Sequence, residues 1–152
     1  MIQGPARFWL ERSWASITPG TVAFVMLNPS TADDANDDPT IRRCVGFAKA
    51  WGHASLIVVN TNPMRSTNPR RTPEPNEFDL LENDEYLRRA VFTADRVVCA
   101  WGSHVRTDLR ERALYVLRDE GRDLHHLGLT KRGEPRHPLY LPGNLTPQIW
   151  VG

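Results

Sequence analysis

The chain has 152 residues, of which 40% are apolar and 24% charged, and a formal net charge of +1. That length supports one domain with its own hydrophobic core. The near-balanced charge excludes nucleic-acid binding by bulk charge alone but allows a local basic face. No apolar run approaches a membrane span, and Met1–Leu10 lacks an apolar signal core after a basic start.

In chain order, Arg7–Arg12 is a candidate edge strand. Val22–Leu27 is short, continuous and rich in β-branched residues, as expected of a strand covered on both faces. Asp38-Pro39-Thr40 opens a helix running to about Trp51, because an early proline costs no helical hydrogen bond. Val45, Phe47, Ala48 and Trp51 supply its apolar stripe, and Gly52 stops it. Leu56–Val59 is the second buried strand. Asn62–Pro75 is a proline-rich connection of a length usually reserved for function or motion. A second helix runs from Asn76 or Glu77 to Phe92, with Phe78, Leu81, Tyr86 and Leu87 among its apolar positions. Arg96–Trp101 is the third strand. Val105–Glu120 is a third helix, with Leu109, Ala113, Val116 and Leu117 on one face and Gly121 ending it. Leu124–Leu129 is a fourth strand, and Pro142–Gly152 reads as a surface strap.

The order β-α-β-α-β-α-β predicts a single α/β domain over residues 1–152. The architecture expected is a three-layer sandwich around a mainly parallel, four-stranded central sheet with right-handed crossovers. Cys44 and Cys99 lie far apart in sequence, each beside apolar residues and without metal-type spacing. They read as buried thiols of a reducing compartment, which makes the cytoplasm the expected location.

In an open parallel sheet, ligands bind beyond the carboxyl ends of the strands. Each expected strand here ends in polar residues: Asn28-Pro29-Ser30 after the first, Asn60-Thr61-Asn62 after the second and Gly102-Ser103-His104 after the third. The fourth leads to Thr130-Lys131-Arg132-Gly133 and then His137-Pro138-Leu139-Tyr140. Each loop alone has a structural reading. Asn28 and Ser30 suit a turn or a helix cap, Asn60 a strand-ending turn, and Trp101-Gly102 a packed aromatic before a permissive turn. His137 suits a packed loop, His104 a helix entry and His53 a turn, and one of His125 and His126 is expected to face the core. The run Asp33–Asp38 either holds a hard cation or places carboxylates at a helix N-terminus. No zinc-type spacing, calcium loop or glycine-rich phosphate loop is present, so no metal or cofactor is expected.

Taken together, Met26-Leu27-Asn28-Pro29-Ser30-Thr31-Ala32-Asp33 followed by Asp38-Pro39-Thr40-Ile41-Arg42-Arg43-Cys44 resembles the family called domain of unknown function 1643. The likeness covers nearly the whole chain, including Trp101-Gly102 and His137-Pro138-Leu139-Tyr140. More distantly, the series of loops resembles the uracil-DNA glycosylase superfamily, which implies that superfamily's α/β fold. Leu27-Asn28-Pro29-Ser30 stands where that superfamily holds its hydrolytic water, and Val58-Val59-Asn60 where it reads the base. Trp101-Gly102-Ser103 matches a later strand end. His137-Pro138-Leu139-Tyr140-Leu141 is similar to the loop that carries the superfamily's catalytic histidine. Met26-Leu27 replaces the usual glycine before the first motif, Leu139 replaces a serine, and the amide at position 28 implies weaker water activation than a carboxylate.

The resemblance implies Asn28 and His137 as catalytic residues and Pro29, Ser30, Asn60, Trp101, Ser103, Leu139 and Tyr140 as substrate-binding residues. Asn60 offers a donor and an acceptor to a base edge, and His137 would stabilise charge on the leaving base. Asn28 can orient water but cannot take its proton. Phe47 and Trp51 are the aromatics considered for stacking a base, and Arg42, Arg43, Arg65, Arg132 and Arg136 are candidate phosphate contacts. The function expected is a nucleobase-recognising, glycosylase-like protein acting on nucleic acid, with no membrane partner and no oligomeric state indicated. The alternatives are a non-catalytic nucleotide or nucleic-acid binding module, and a hydrolase of small nucleotides or N-glycosides with Asp37 or Asp38 as base.

Overall fold

A computed structural model describes residues 2–3, 6–33, 35–65 and 73–152. Half of the Asn62–Pro75 connection, residues 66–72, therefore lies outside the described residues. The chain begins with a small antiparallel ladder of β1 (Ile2–Gln3) and β2 (Ala6–Arg7). The main sheet is built from β3 (Leu10–Ser13), β4 (Thr21–Met26), β5 (Ser55–Asn60), β6 (Arg96–Cys99), β7 (Leu124–His126) and β8 (Gln148–Ile149). The helices are α1 (Pro39–Ala50), α2 (Glu77–Thr93) and α3 (Thr107–Asp119).

The fold is α/β, and its sheet is mixed and six-stranded in the order β3-β5-β4-β6-β7-β8. β5, β4, β6 and β7 pair in parallel, while β3 and β8 add antiparallel edges. The expectation of four strands is corrected at both ends. The edge strand predicted over Arg7–Arg12 begins at Leu10, and Arg7 belongs to β2. The C-terminal segment, expected as a surface strap, also supplies the exposed β8, and Trp150 N–H donates to Leu124 O at 2.8 Å. Strand pairing also stops at Met26, Cys99 and His126, short of the ends expected from apolar character alone, because Leu27, Trp101 and Leu127 already belong to the loops.

Alternation along the strands divides the core. Val22, Phe24, Met26, Leu56, Val58 and Val98 pack with Ile41, Cys44, Phe47 and Ala48 of α1. Ala23, Val25, Ile57, Val59, Val97 and Cys99 pack on the opposite face with Leu87, Val91, Leu114 and Leu117 of α2 and α3. The chain passes from β4 to β5 in one direction across the sheet, then back over β4 to β6 and on to β7. With crossovers of one hand, a reversal of direction moves the helix to the other face, and α1 indeed opposes α2 and α3. The carboxyl ends of β4 and β6, where the chain departs in opposite directions, form the crevice of such a sheet.

Helix starts follow local chemistry. Asp38 caps α1 by accepting from Ile41 N–H, and Asn76 caps α2 in a reciprocal box with Asp79. The apolar face of α2 differs from the expectation. Tyr86, Leu87, Ala90 and Val91 are buried, but Phe78 and Leu81 are exposed. They lie in the first turns of α2, while its contacts with the sheet are made from Asn83 onward. In α3 the expected Leu109, Ala113, Val116 and Leu117 are all buried. Cys44 and Cys99 are buried free thiols, each pushed to a higher pKa by burial. Among the described residues no helix is long and apolar enough to cross a membrane.

Candidate functional site

A cavity of about 220 Å³ opens at the carboxyl ends of β4 and β5. Met26, Ile41 and Val58 give it apolar walls, and Asn28, Ser30, Asp38, Asn60 and His137 bring polar groups to it. Asn28, Asn60 and His137, far apart in sequence, thus line one concave surface.

The loops are tied together at their roots. Beyond the ladder of β4 and β5, Thr61 N–H donates to Met26 O at 2.9 Å and Asn62 N–H to Leu27 O at 3.1 Å. Thr61 Oγ1 also donates to Leu27 O, at 2.8 Å. The Arg7 guanidinium reaches the next segment from β2, donating to Ser30 O at 2.8 Å, to Ser30 Oγ at 3.2 Å and to Ala32 O. Arg7 is buried, so these charge-assisted bonds fix the loop firmly.

Asn60 is 3% exposed. Asn83 of α2 donates from Nδ2 to Asn60 O at 2.8 Å, fixing the backbone behind it. Among the described residues Asn60 Oδ1 is buried and accepts no hydrogen bond. An unmet buried acceptor costs about 1–3 kcal/mol, and Asn83 Oδ1 is likewise unmet among the described residues. The Asn28 side chain makes no hydrogen bond among the described residues and faces the cavity half-buried.

His137 is delivered by a different device. Gly102 N–H donates to Pro135 O at 2.8 Å, and Trp101 Nε1 donates to Glu134 Oε1 at 3.0 Å. These bonds clamp the segment before His137 onto the end of β6. Gly102 has φ +81°, and a Cβ there would stand 3.5 Å from His137 Cβ. Only glycine takes that backbone without strain. Leu139 N–H donates to His137 Nδ1 at 3.2 Å, which leaves the proton of the neutral ring on Nε2. Burial lowers the His137 pKa, opposed by the negative charge of Asp38.

Asp38, offered by the sequence as a cap or cation carboxylate and as one of two alternative bases, also lines the cavity. Its Oδ1 accepts from Ile41 N–H at 2.8 Å, and its Oδ2 accepts from Thr31 N–H at 2.9 Å and Thr31 Oγ1 at 3.2 Å. Burial raises its pKa, but these bonds and one from the Ser30 hydroxyl outweigh it and hold the group below the ordinary carboxylate value. The signal available in sequence was Asp38-Pro39, an N-cap before a helix leaving the first site loop. Its neighbour Asp37 is engaged by Arg12 Nε at 2.8 Å. Asp33 accepts from Ala35 and Asn36 N–H. Asp33, Asp37 and Asp38 are thus spent on loop, ion-pair and cap bonds, and no group of three or more metal-ligating side chains occurs among the described residues.

The remaining candidates are dispersed. Pro29 and Ser30 line the cavity, but the Ser30 hydroxyl oxygen is engaged by Arg7 and Ala32 N–H. Trp101 is buried and acts as an anchor for Glu134 rather than as a cavity wall. Leu139 contributes its N–H to His137, and Tyr140 is exposed. Phe47 is in the α1 core and Trp51 stacks on Phe24 and Phe47, so neither faces the cavity. Ser103 and Arg132 lie with His104, Thr130 and Lys131 around a separate cavity at the ends of β6 and β7. Arg42 and Arg43 line a third with Phe47 and Gly143. The stem of Arg136 packs beside Gly128, and Arg65 is half-buried outside all three cavities.

This α/β scaffold with its site at the strand ends is matched over residues 7–139 by one family model, described as Protein of unknown function (DUF1643). The chain belongs to that family. No curated protein and no solved structure matches it.

Proposed function

We propose that the protein recognises a nucleobase in nucleic acid and hydrolyses the N-glycosidic bond that holds it. The observation that carries this reading is the unpaired, buried Oδ1 of Asn60 on a cavity wall shared with His137 and Asn28. The apolar walls suit a flat ring, and Asn60 suits a base edge that must be read by hydrogen bonds. His137, with its proton on Nε2, suits donation to the oxygen of a leaving base. Asn28 suits the placement of water. The ordered likeness of the loops to the uracil-DNA glycosylase superfamily supports the same reading.

In this reaction the bond between C1′ and the base nitrogen breaks with both electrons leaving on the base. A water oxygen bonds C1′ and sheds a proton to solvent, and the base takes one up from solvent. The test is a panel of single- and double-stranded oligonucleotides carrying uracil, mismatched and modified bases, scored for abasic sites. Release by the wild type and a loss of about 100-fold or more in both His137→Ala and Asn60→Ala is expected. No product across the panel overturns the enzymatic reading.

A second reading, a binding module without turnover, is favoured by the chemistry of position 28 and by Asp38, whose two oxygens are both already engaged by donors. It predicts binding that survives His137→Ala and falls in Asn60→Ala, measured by fluorescence anisotropy.

A further inference from the structure

Breaking an N-glycosidic bond puts positive charge on the sugar, and a fixed anion nearby lowers that barrier. Position 28 holds an amide, but Asp38 lines the same cavity. A helix cap needs one side-chain oxygen, and a neutral serine or asparagine serves as well. Asp38 has a second oxygen tied back to Thr31 N–H and Thr31 Oγ1. Ser30, beside Thr31, is held from behind by the buried Arg7. A carboxylate has about four lone-pair directions, and these donors engage both oxygens, which suits a permanent charge better than a proton acceptor. The neighbouring charges are otherwise engaged. Asp37 is with Arg12, Arg42 donates to Asp37 O, and Glu134 is held by Arg110 and Trp101. Arg136 lies along Gly128. Asn60, 3% exposed and with its Oδ1 unpaired among the described residues, lines the same cavity and is an independent sign of a ligand site.

We propose that Asp38 is the anionic residue of this site, a charge-stabilising group that faces His137 and the sugar of a bound nucleoside unit and stands in for the carboxylate absent at position 28. The sugar half of this assignment rests on the N-glycosidic reading, whereas the His137 half does not. Asp38 neither gains nor loses a proton in the step; it offsets positive charge while the base departs.

The test compares wild type with Asp38→Asn, which keeps a capping oxygen and removes the charge. In an NMR titration of histidine-labelled protein, the His137 pKa falls by about 0.5 or more in Asp38→Asn, while His53, His125 and His126 are unchanged. Base release from the oligonucleotide panel falls about 100-fold in kcat with KM little altered. If Asp38→Asn loses α1 by circular dichroism, Asp38→Ser, an equally good cap, carries the same comparison. An unchanged His137 titration in a folded variant overturns the proposal. If the wild type releases no base at all, the glycosylase reading falls, and the titration still decides the role of Asp38.

Discussion

At the scale of single residues, His137 joins local structure to chemistry. Its Nδ1 accepts from Leu139 N–H, so protonation of the ring breaks the bond that orients it. Burial resists that protonation and lowers its pKa from the ordinary 6.5. Under the proposed reaction, the rate should be flat through neutrality and fall only on the acid side of 6.5, as a pH profile of kcat would show. Tyr140 makes a different point. It adopts φ +71° and is 92% exposed, a left-handed backbone with no packing to support it. Tyr140→Gly should raise stability by about 1 kcal/mol in a denaturant titration. If the ring contacts ligand, the same change weakens oligonucleotide binding, the opposing pair of effects expected where strain is kept for function.

At the scale of elements, the site depends on anchors some distance from it in sequence. Arg7 sits on β2, yet its guanidinium satisfies Ser30 O, Ser30 Oγ and Ala32 O. Arg7→Leu leaves those acceptors unmet and should cost about 2–4 kcal/mol of unfolding free energy, with hydrogen exchange rising in residues 28–33. The other anchor is the C-terminal edge. Trp150 packs edge-on against Trp101 at 5.6 Å between ring centroids, with Arg110 and Arg118 over its ring. Because Trp101 also holds Glu134, and so the segment before His137, truncation at Trp150 loosens the site as well as the core. Trp150→Ala should cost about 3–5 kcal/mol and broaden the His137 resonances. The strands and helices around these anchors were legible from apolar runs and caps. The pairing of Arg7 with the Ser30 segment was not, since nothing local to either stretch names its partner.

At the scale of the molecule, acid is the weak point. His53, His125, His126 and His137 all have pKa values lowered by burial. An unfolded chain takes up protons near 6.5, while the folded histidines resist until lower pH. In that window the unfolded state binds more protons, so stability rises with pH and is lost as pH falls below 6.5. Asp38 acts in a lower window: its depressed pKa contributes stability above the ordinary 3.8 that is lost as pH falls through it. Thermal melts should therefore show a falling Tm below about pH 6.5 and a second decline near pH 4. In His137→Gln the first decline should be smaller.

Local signals along the chain were enough for the α/β class, the places of the three helices and four parallel strands, and the clustering of polar residues after those strands. Those features follow from periodicity, caps and turn residues, all of which are local. The same signals also put Asn28, Asn60 and His137 at strand ends. Only the tertiary structure decided that these line one cavity, because that depends on strand order and on the clamp between Gly102 and Pro135. Of the two antiparallel edges, β3 overlaps the edge strand expected over Arg7–Arg12, whereas β8 is two residues long and exposed, with no pattern to announce it. Tertiary structure also placed Asp38. In sequence it is one carboxylate in an acidic run and a good helix cap. Only the folded chain brings that helix-start signal to the wall of the cavity that His137 also lines.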